Sequence, residues 1–340
     1  MLLWFFACSS SPTRTPGQAP PVLTALQTEC DAPQACAGAC DAGEALACNQ
    51  LGLWLHDGLM GATEDRQEAA VRYRRACDLG AGIGCYNLAG MVSSGDGGLE
   101  IDPLEARLLM TQTRQLYQAS CDAGALTWCV NLAGLMIRDD LGSPDPRAAV
   151  SILQPTCDGG YGPACVELAR LLLGSRAGRP DPERAEALLT AACDDDVEGA
   201  CNDLALQLER RGEDAVPVLE RACDRGVPIA CRNLAKRVPG RDRALALLSK
   251  ACDAPKNLDG LACSMAAEIL LEQPGNEELA IHRLARSCSV GIVSTCMKAV
   301  TLAAVTDSSF DKATARDLVA RGCALGDASA CELLERLDAP

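Results

Sequence analysis

The sequence predicts an all-α chain built from repeated helical hairpins, and three observations support this fold class. Pairs of cysteines recur along the chain, most of them with the spacing C-x7-C. Several segments between these pairs carry Asp-Pro in front of an apolar run, which is typical of a helix N-terminus. A glycine stands three residues after the first cysteine of most pairs, where it can end a helix in the left-handed conformation.

The repeat unit is marked by nine successive pairs of cysteines. They are Cys40 and Cys48, Cys77 and Cys85, Cys121 and Cys129, Cys157 and Cys165, Cys193 and Cys201, Cys223 and Cys231, Cys252 and Cys263, Cys288 and Cys296, and Cys323 and Cys331. Only the pair beginning at Cys252 has a longer spacing, which a loop absorbs at little entropic cost. The first cysteines recur with a period near 36 residues, which is too short for a domain and fits one helical hairpin.

Each unit is predicted to contain two helices. The first begins at Asp-Pro, as at Asp102, Asp145 and Asp181, and runs to the first cysteine of the next pair. The candidate glycine stops in the C-D-x-G sequences that follow are Gly43, Gly80, Gly124 and Gly226. The second cysteine then opens another helix, as in CYNLAGM and CRNLAKRV, where Leu and Ala recur at helical spacing.

The stretch from Ala76 to Met91 shows why the chain must turn between the two cysteines if they pair. Eight residues of continuous helix rise about 12 Å, whereas a disulfide needs Cα atoms roughly 4.4–6.8 Å apart. Glycines between Cys77 and Cys85 permit a turn. The Asp that follows most first cysteines is harder to explain, because a carboxylate at a helix C-terminus opposes the macrodipole. Its side chain could instead accept hydrogen bonds from backbone amides in the turn.

These units resemble a known repeat family. The NLA helix, the G…DP…A connector and the closing LL..AC..G are similar to the Sel-one-like repeat, a relative of the tetratricopeptide repeat, and in particular to its cysteine-rich secreted Hcp branch. The resemblance covers about residues 30–337 and implies a right-handed α-solenoid of about eight to nine units with disulfide-linked helices. We expect the cysteines to pair within each unit, because the turn brings the helix ends together while other units lie further away.

The cysteine count also bears on the N-terminus. Of 21 cysteines, the nine pairs leave Cys8, Cys30 and Cys36. Cys8 follows LLWFFA, so residues 1–8 resemble a lipoprotein signal in which Cys8 is acylated, and residues 9–29 have the composition of a flexible linker. Cys30 and Cys36 could then pair as an N-terminal cap of the solenoid, residues 30–340. The alternative is a chance cysteine in an ordinary apolar N-terminus, because no basic residue precedes the short apolar run.

So many regularly spaced cysteines indicate an oxidising compartment, and we expect an exported outer-membrane, periplasmic or secreted protein. Zinc is the rival explanation, but structural zinc sites favour closer cysteines or histidine partners. The two histidines, His56 and His282, lie in unrelated units and are interpreted as surface or hydrogen-bonded residues. We therefore predict no metal and no cofactor.

Enzyme motifs are scarce. Ser309 and Lys312 form an S-x-x-K match to serine β-lactamases, a chemistry associated with the resembled family, but the sequence lacks S-D-N and K-T-G. Asp307, Ser308 or Ser309 is better interpreted as a helix N-cap. The net charge of −15 argues against nucleic acid; it favours solubility or attraction of a basic partner.

Solenoids usually hold a partner on an extended concave face. We therefore predict a monomeric, non-catalytic scaffold for a protein or peptide in the bacterial envelope, touching the membrane through a lipid anchor only. The alternatives are a weak β-lactam-binding protein and a peptidoglycan-associated factor. Candidate partner-binding residues on the NLA helices are Tyr86, Asn87, Trp128, Asn131, Glu167, Asn202 and Asn233. The alternative for these Asn residues is stabilisation of adjacent turns through bonds to the backbone.

Overall fold

A computed structural model describes residues 30–138, 144–197, 199–254, 258–306 and 312–338. Residues 1–29, with Cys8 and the predicted linker, lie outside the described residues, and so do Asp307, Ser308 and Ser309. The described part of the chain contains eighteen α-helices, one 3-10 turn at Asp96–Gly98 and no strand. The all-α prediction is confirmed.

The helices follow one another in hairpins. They are α1 (Pro33–Asp41), α2 (Ala45–Asp57), α3 (Arg66–Asp78), α4 (Gly82–Ser94), α5 (Pro103–Asp122), α6 (Leu126–Met136), α7 (Pro146–Asp158), α8 (Gly162–Leu173), α9 (Pro182–Asp194), α10 (Ala200–Arg210), α11 (Val216–Asp224), α12 (Pro228–Ala235), α13 (Arg241–Cys252), α14 (Gly260–Leu271), α15 (Glu277–Ser289), α16 (Val293–Val305), α17 (Lys312–Ala324) and α18 (Ala328–Asp338).

The hairpins stack into two layers. Each helix packs against the helices before and after it, and even-numbered helices also touch one another, as α2 touches α4 and α6 touches α8. Odd-numbered helices do the same near the C-terminus, where α15 touches α17. We call these the even layer and the odd layer. Since each unit packs mainly on its neighbours, the fold is an α-solenoid.

The local helix signals act as the sequence predicts. Asp102 caps α5 by accepting hydrogen bonds from the N–H groups of Leu104 and Glu105, at 2.9 and 3.0 Å. Asp145 and Asp181 cap α7 and α9 in the same way. The four candidate glycine stops all have a positive φ. Asp196 takes this conformation where the unit beginning at Cys193 lacks the glycine, since Asp tolerates the left-handed region better than most residues.

Disulfide bonds hold the hairpins at their turns. The structure places both sulfurs of each of the nine sequence pairs at bonding distance, with Cα separations of 4.5 to 4.8 Å. Cys30 and Cys36 form a tenth pair ahead of the array. Each bond thus joins the end of one helix to the start of the next, as the turn between the two cysteines requires.

Small residues let neighbouring helices approach closely. A Cβ atom added to Gly84 of α4 would lie 2.5 Å from the Cβ of Ala76 and 2.9 Å from the backbone nitrogen of Cys77 on α3. Gly52 of α2 similarly faces the ring of Tyr73. The core around these contacts consists mostly of buried Leu, Ala and Cys, as expected for a chain with only 3% aromatic residues.

The Asp after the first cysteine links successive units. Asp41 accepts from Arg72, Asp194 from Arg221 and Asp224 from Lys250, with distances of 3.3 to 3.4 Å. Asp253 and Arg283 form a two-bond pair of the same kind. In each case the cation comes from the following unit, so it offsets the unfavourable position of a carboxylate at a helix C-terminus.

Arginines also satisfy carbonyl groups at these helix ends. Arg75 donates to the carbonyl oxygens of Cys40 and Asp41, at 3.2 Å each. Near the other end of the array, Arg321 donates to the carbonyl oxygen of Cys288 at 3.1 Å. The last carbonyls of a helix lack partners within it, so these bonds stabilise the helix end and the contact between units together.

Candidate partner-binding groove

Two adjoining cavities form a continuous groove lined by helices of the even layer together with parts of α3 and α5. The smaller, of about 470 Å³, lies mainly between α4, α6 and α8. The larger, of about 1180 Å³, is lined by parts of α2 to α6. Tyr86, Asn87, Leu135 and Arg138 line both cavities. We call the two cavities together the groove.

Four of the seven predicted binding residues line the groove. Tyr86, Asn87, Asn131 and Glu167 are partly buried and border the smaller cavity. They come from three successive even-numbered helices because each stands one or two residues after the second cysteine of its unit. The common register of the units therefore brings them to one surface.

The structure corrects the prediction that Trp128 lies on the partner-binding surface. Its side chain is 1% exposed and its ring lies 4.9 Å from that of Tyr117 on α5, measured between centroids. This indole fills the core between α5 and α6, because position 128 precedes the second cysteine and faces the neighbouring helix. It is therefore a packing residue and is not available to a partner.

The asparagines connect neighbouring units. Asn87 of α4 donates its side-chain amide to the side-chain oxygen of Asn49 on α2, at 2.9 Å. Asn233 of α12 makes the corresponding bond to Asn202 of α10, and neither residue lines the groove. These hydrogen bonds join side chains of successive even-numbered helices. They therefore differ from the alternative considered above, in which each Asn side chain bonds to the backbone of an adjacent turn. The side chain of Asn131 has no hydrogen-bond partner among the described residues.

Arg138 and Tyr86 form the ridge shared by the two cavities. The guanidinium carbon of Arg138 lies 5.5 Å from the centroid of the Tyr86 ring, and the same guanidinium donates a hydrogen bond to the Tyr86 hydroxyl. This cation–π geometry holds both side chains across the gap between α4 and α6. The ridge places an aromatic ring and a guanidinium group beside both cavities.

A second positive feature lies on α5. Arg107, Met110, Thr111 and Arg114 line the larger cavity at helical spacing, so they share one face of this helix. Arg107 and Arg114 are exposed, and neither has an ion-pair partner within the described residues. Neither arginine was predicted from the sequence. The sequence signal that could have identified them is two arginines seven residues apart on one helix. This helix has 20 residues, whereas most helices of the array have 13 or fewer.

Two arginines of the even layer form ion pairs with carboxylates of neighbouring units. Arg170 of α8 pairs with Glu167 and, at 2.6 Å, with Asp203 of α10. Arg232 of α12 pairs with Asp259 at 2.7 Å. Glu167, a predicted binding residue, thus has a cation beside it already. Within the described residues, Arg107 and Arg114 on α5 are therefore the groove arginines without an ion-pair partner.

His56 lies at the far end of the larger cavity between two carboxylates. Its Nδ1 is 2.5 Å from Asp57 and its Nε2 is 2.8 Å from Asp96, which Arg66 also contacts at 3.0 Å. Partial burial opposes protonation, but the hydrogen bonds and charges of the two carboxylates outweigh it and raise the pKa of His56. Burial is likewise outweighed at Asp96, whose pKa is lowered by His56 and Arg66. Both ring nitrogens are engaged by carboxylates, so this histidine cannot act as a general base.

Comparison with known families identifies the repeat. The family model described as Sel1 repeat matches residues 45–80, 82–115, 162–197 and 229–255. The chain contains Sel1 repeats. Between and after the matched stretches, the same cysteine-paired hairpins continue the array of Sel1-like units.

Solved Sel1-type structures are similar to this chain at low identity. A Sel1 repeat protein from Oxalobacter formigenes is 18% identical with a TM-score of 0.47, covering 94% of this chain and 97% of its own. The c5321 protective antigen of uropathogenic Escherichia coli is 16% identical with a TM-score of 0.42, covering 89% of this chain and 74% of its own. A putative sel1 repeat protein from Klebsiella pneumoniae is 18% identical with a TM-score of 0.28, covering 79% and 99%. No curated protein matches the sequence.

Sel1-like repeat proteins generally serve as protein-interaction scaffolds, which is consistent with a protein partner. The many paired cysteines of this one indicate an oxidising, exported location. Within the described residues, no helix combines the length and apolar character needed to cross a membrane. No group of three or more His, Cys, Asp or Glu side chains in that part of the chain could hold a metal ion.

Proposed function

We propose that this Sel1-like repeat protein is a non-catalytic scaffold of the bacterial cell envelope that holds a protein or peptide in the groove. The observation that supports the proposal is the groove itself, which successive helices line and four predicted binding residues border. Binding sites are typically concave and combine apolar walls with a few polar groups. The groove has both, with Leu53, Met110 and Leu135 beside Tyr86 and Arg138.

The scaffold role also fits how the groove is built. The side chains around it come from several units, so a partner lying along it contacts successive helices of the even layer. Hydrogen bonds such as Asn87 to Asn49 and ion pairs such as Arg170 to Asp203 hold these helices in register. A preorganised surface loses less conformational freedom when a partner binds, which favours affinity.

Blocking the smaller cavity tests this function. Asn131→Trp places a bulky side chain at a partly buried position that has no hydrogen bond to lose among the described residues. Val71→Trp on α3 is the matched control, because Val71 is 57% exposed and lines neither cavity. We expect partners cross-linked from the native envelope to be captured by the wild type and by Val71→Trp but lost in Asn131→Trp, with circular dichroism unchanged. Equal capture by all three proteins would refute a groove-dependent scaffold.

The envelope location rests on the cysteines. We propose that Cys8 is acylated and that residues 9–29 tether the solenoid to the membrane. Expressed in a bacterial host, the wild type should incorporate labelled fatty acid and partition into detergent, whereas Cys8→Ser should do neither. Equal labelling of both forms, or none in either, would show that Cys8 is not the anchor.

The non-catalytic assignment has its own test. Incubation with a fluorescent penicillin should give neither covalent labelling nor hydrolysis, and the protein should not be retained by purified cell wall. Labelling that is lost in Ser309→Ala would instead establish the β-lactam alternative, and specific retention would establish peptidoglycan association.

A further inference from the structure

We infer that the partner presents an acidic segment to the groove, and that Arg107 and Arg114 of α5 bind its carboxylates beside Arg138. This inference rests on the proposed function and names the chemistry of the partner. The inference is based on charge complementarity between these arginines and the carboxylates of the partner. In a chain of net charge −15, two exposed arginines without an ion-pair partner in the described residues line the larger cavity together.

The two arginines are placed to act together. Seven residues of α-helix bring side chains back to nearly the same face and separate them by about 10 Å along the axis. An extended peptide covers that distance in about three residues, so acidic residues two to four positions apart match the spacing of Arg107 and Arg114. Guanidinium groups bind carboxylates through two parallel hydrogen bonds, which gives such a contact both strength and direction.

The surface between the arginines favours a peptide with apolar side chains. Met110 lies between Arg107 and Arg114 on α5, and Leu53, Met91 and Leu135 complete an apolar part of the same cavity. Methionine is flexible and adapts to differently shaped side chains. The segment that fits is therefore acidic with at least one apolar residue between or beside its carboxylates.

The carboxylates within the larger cavity do not oppose this charge pattern. Asp57 forms an ion pair with His56, and Asp96 forms ion pairs with both His56 and Arg66. Their negative charge is therefore offset locally. Arg107 and Arg114 are the arginines of this cavity that have no ion-pair partner in the described residues.

A nucleic acid is a poorer occupant than an acidic protein segment. A long polyanion extends beyond the groove over a surface that is acidic overall, and like charges repel it there. Screening limits interactions between exposed charges to about 10 Å at 0.1 M salt. A short acidic segment thus senses mainly the arginines that it contacts, and its apolar side chains gain burial that a phosphate backbone does not offer.

The test uses three fluorescent 12-residue peptides that share the same apolar residues and differ in carrying Glu, Gln or Lys. Fluorescence anisotropy with the full chain should show binding of the acidic peptide, with the Gln peptide at least about tenfold weaker and the Lys peptide weaker still. Salt should weaken binding of the acidic peptide. Equal affinity for the Glu and Gln peptides, or no binding of the Glu peptide at millimolar concentration, overturns the inference.

Charge reversal locates the contact. Arg107→Glu combined with Arg114→Glu should weaken binding of the acidic peptide by about tenfold or more. The matched control, Arg147→Glu with Arg210→Glu, changes the net charge equally at exposed arginines that line neither cavity and have no ion-pair partner in the described part of the chain. It should leave affinity within about twofold. Equal losses in both double variants contradict the inference.

Two further results separate the inference from the proposed function. A partner that is captured by the wild type, lost in Asn131→Trp and bound through a neutral or basic segment supports the scaffold and overturns the acidic segment. A single-stranded oligonucleotide that binds more tightly than the acidic peptide also overturns it. If Asn131→Trp captures partners as well as the wild type does, the proposed function itself is overturned.

Discussion

His56 shows at the scale of a single residue how charge holds the first units of the array together. It belongs to α2, whereas Asp96 lies beyond the end of α4, so their hydrogen bond joins two successive hairpins. The carboxylates raise the pKa of His56 in the folded chain. The stabilisation that protonated His56 provides is therefore complete below the pKa of this histidine in the unfolded chain, about 6.5. It is lost as the pH rises through the higher pKa of the folded chain.

This linkage predicts a pH-dependent cost for His56→Gln. At pH 5.5 the variant should be less stable than the wild type by roughly 0.5–1 kcal/mol, the range of a partly exposed ion pair. The difference should shrink towards zero above the raised pKa, because the wild-type histidine is then neutral as well. Thermal unfolding of both proteins from pH 5 to pH 9 measures it. A difference that stays constant or grows with pH would show that the histidine is not held as a cation.

Residues whose role depends on a distant helix could not be predicted from the sequence. Asp102 caps its own helix, so the signal and the contact lie within three residues of each other. Trp128 is buried against a ring on another helix, and the direction in which an indole points follows from packing. Arg107 and Arg114 matter because no carboxylate in the described part of the chain pairs with them, which depends on how the units stack.

At the scale of the element, close packing between helices is the least tolerant feature. Gly84 of α4 leaves no room for a methyl group against Ala76 and the α3 backbone, whereas Gly90 of the same helix has nothing within 4 Å of an added Cβ. Both are glycines in one helix. Helix propensity alone favours alanine at either position by roughly 0.5–1 kcal/mol.

The two glycines should therefore respond oppositely to the same substitution. Gly84→Ala should destabilise the protein by about 1–3 kcal/mol through overpacking, whereas Gly90→Ala should stabilise it by roughly 0.5 kcal/mol. Chemical denaturation of the two variants and the wild type provides the comparison. A stabilising effect at both positions would mean that α3 and α4 do not pack as closely as the structure shows.

The repeat pattern made the helical hairpins predictable, whereas the contacts between hairpins were not. Cysteine spacing and Asp-Pro starts are local, so they determine where helices begin and turn. The Asp after the first cysteine is equally visible in the sequence, yet its partners, such as Arg72 for Asp41, stand about 30 residues further along. Only the stacking of units brings these partners together, which is why the sequence left that Asp unexplained.

At the scale of the whole molecule, the disulfides reinforce an array that also packs through its apolar faces. Each short loop closed by a disulfide contributes roughly 2.5 kcal/mol in the chain-entropy model, and the contributions are not additive. We expect reductant to leave the far-ultraviolet circular dichroism helical, because the Leu and Ala faces remain, while the melting temperature falls by many degrees. An unchanged melting temperature would show that the bonds contribute nothing to stability, and complete loss of helix would show that packing alone cannot form the fold.

The central claim is that the groove is the surface that holds a partner. Site-specific photo-cross-linking tests it most directly, with one photoreactive residue at a time placed at Asn131 and Thr111 in the groove and at Val71 and Leu104 on exposed positions outside it. In the native envelope we expect one discrete adduct from the two groove positions and none from the other two. Adducts from Val71 and Leu104, with none from the groove, would contradict the account.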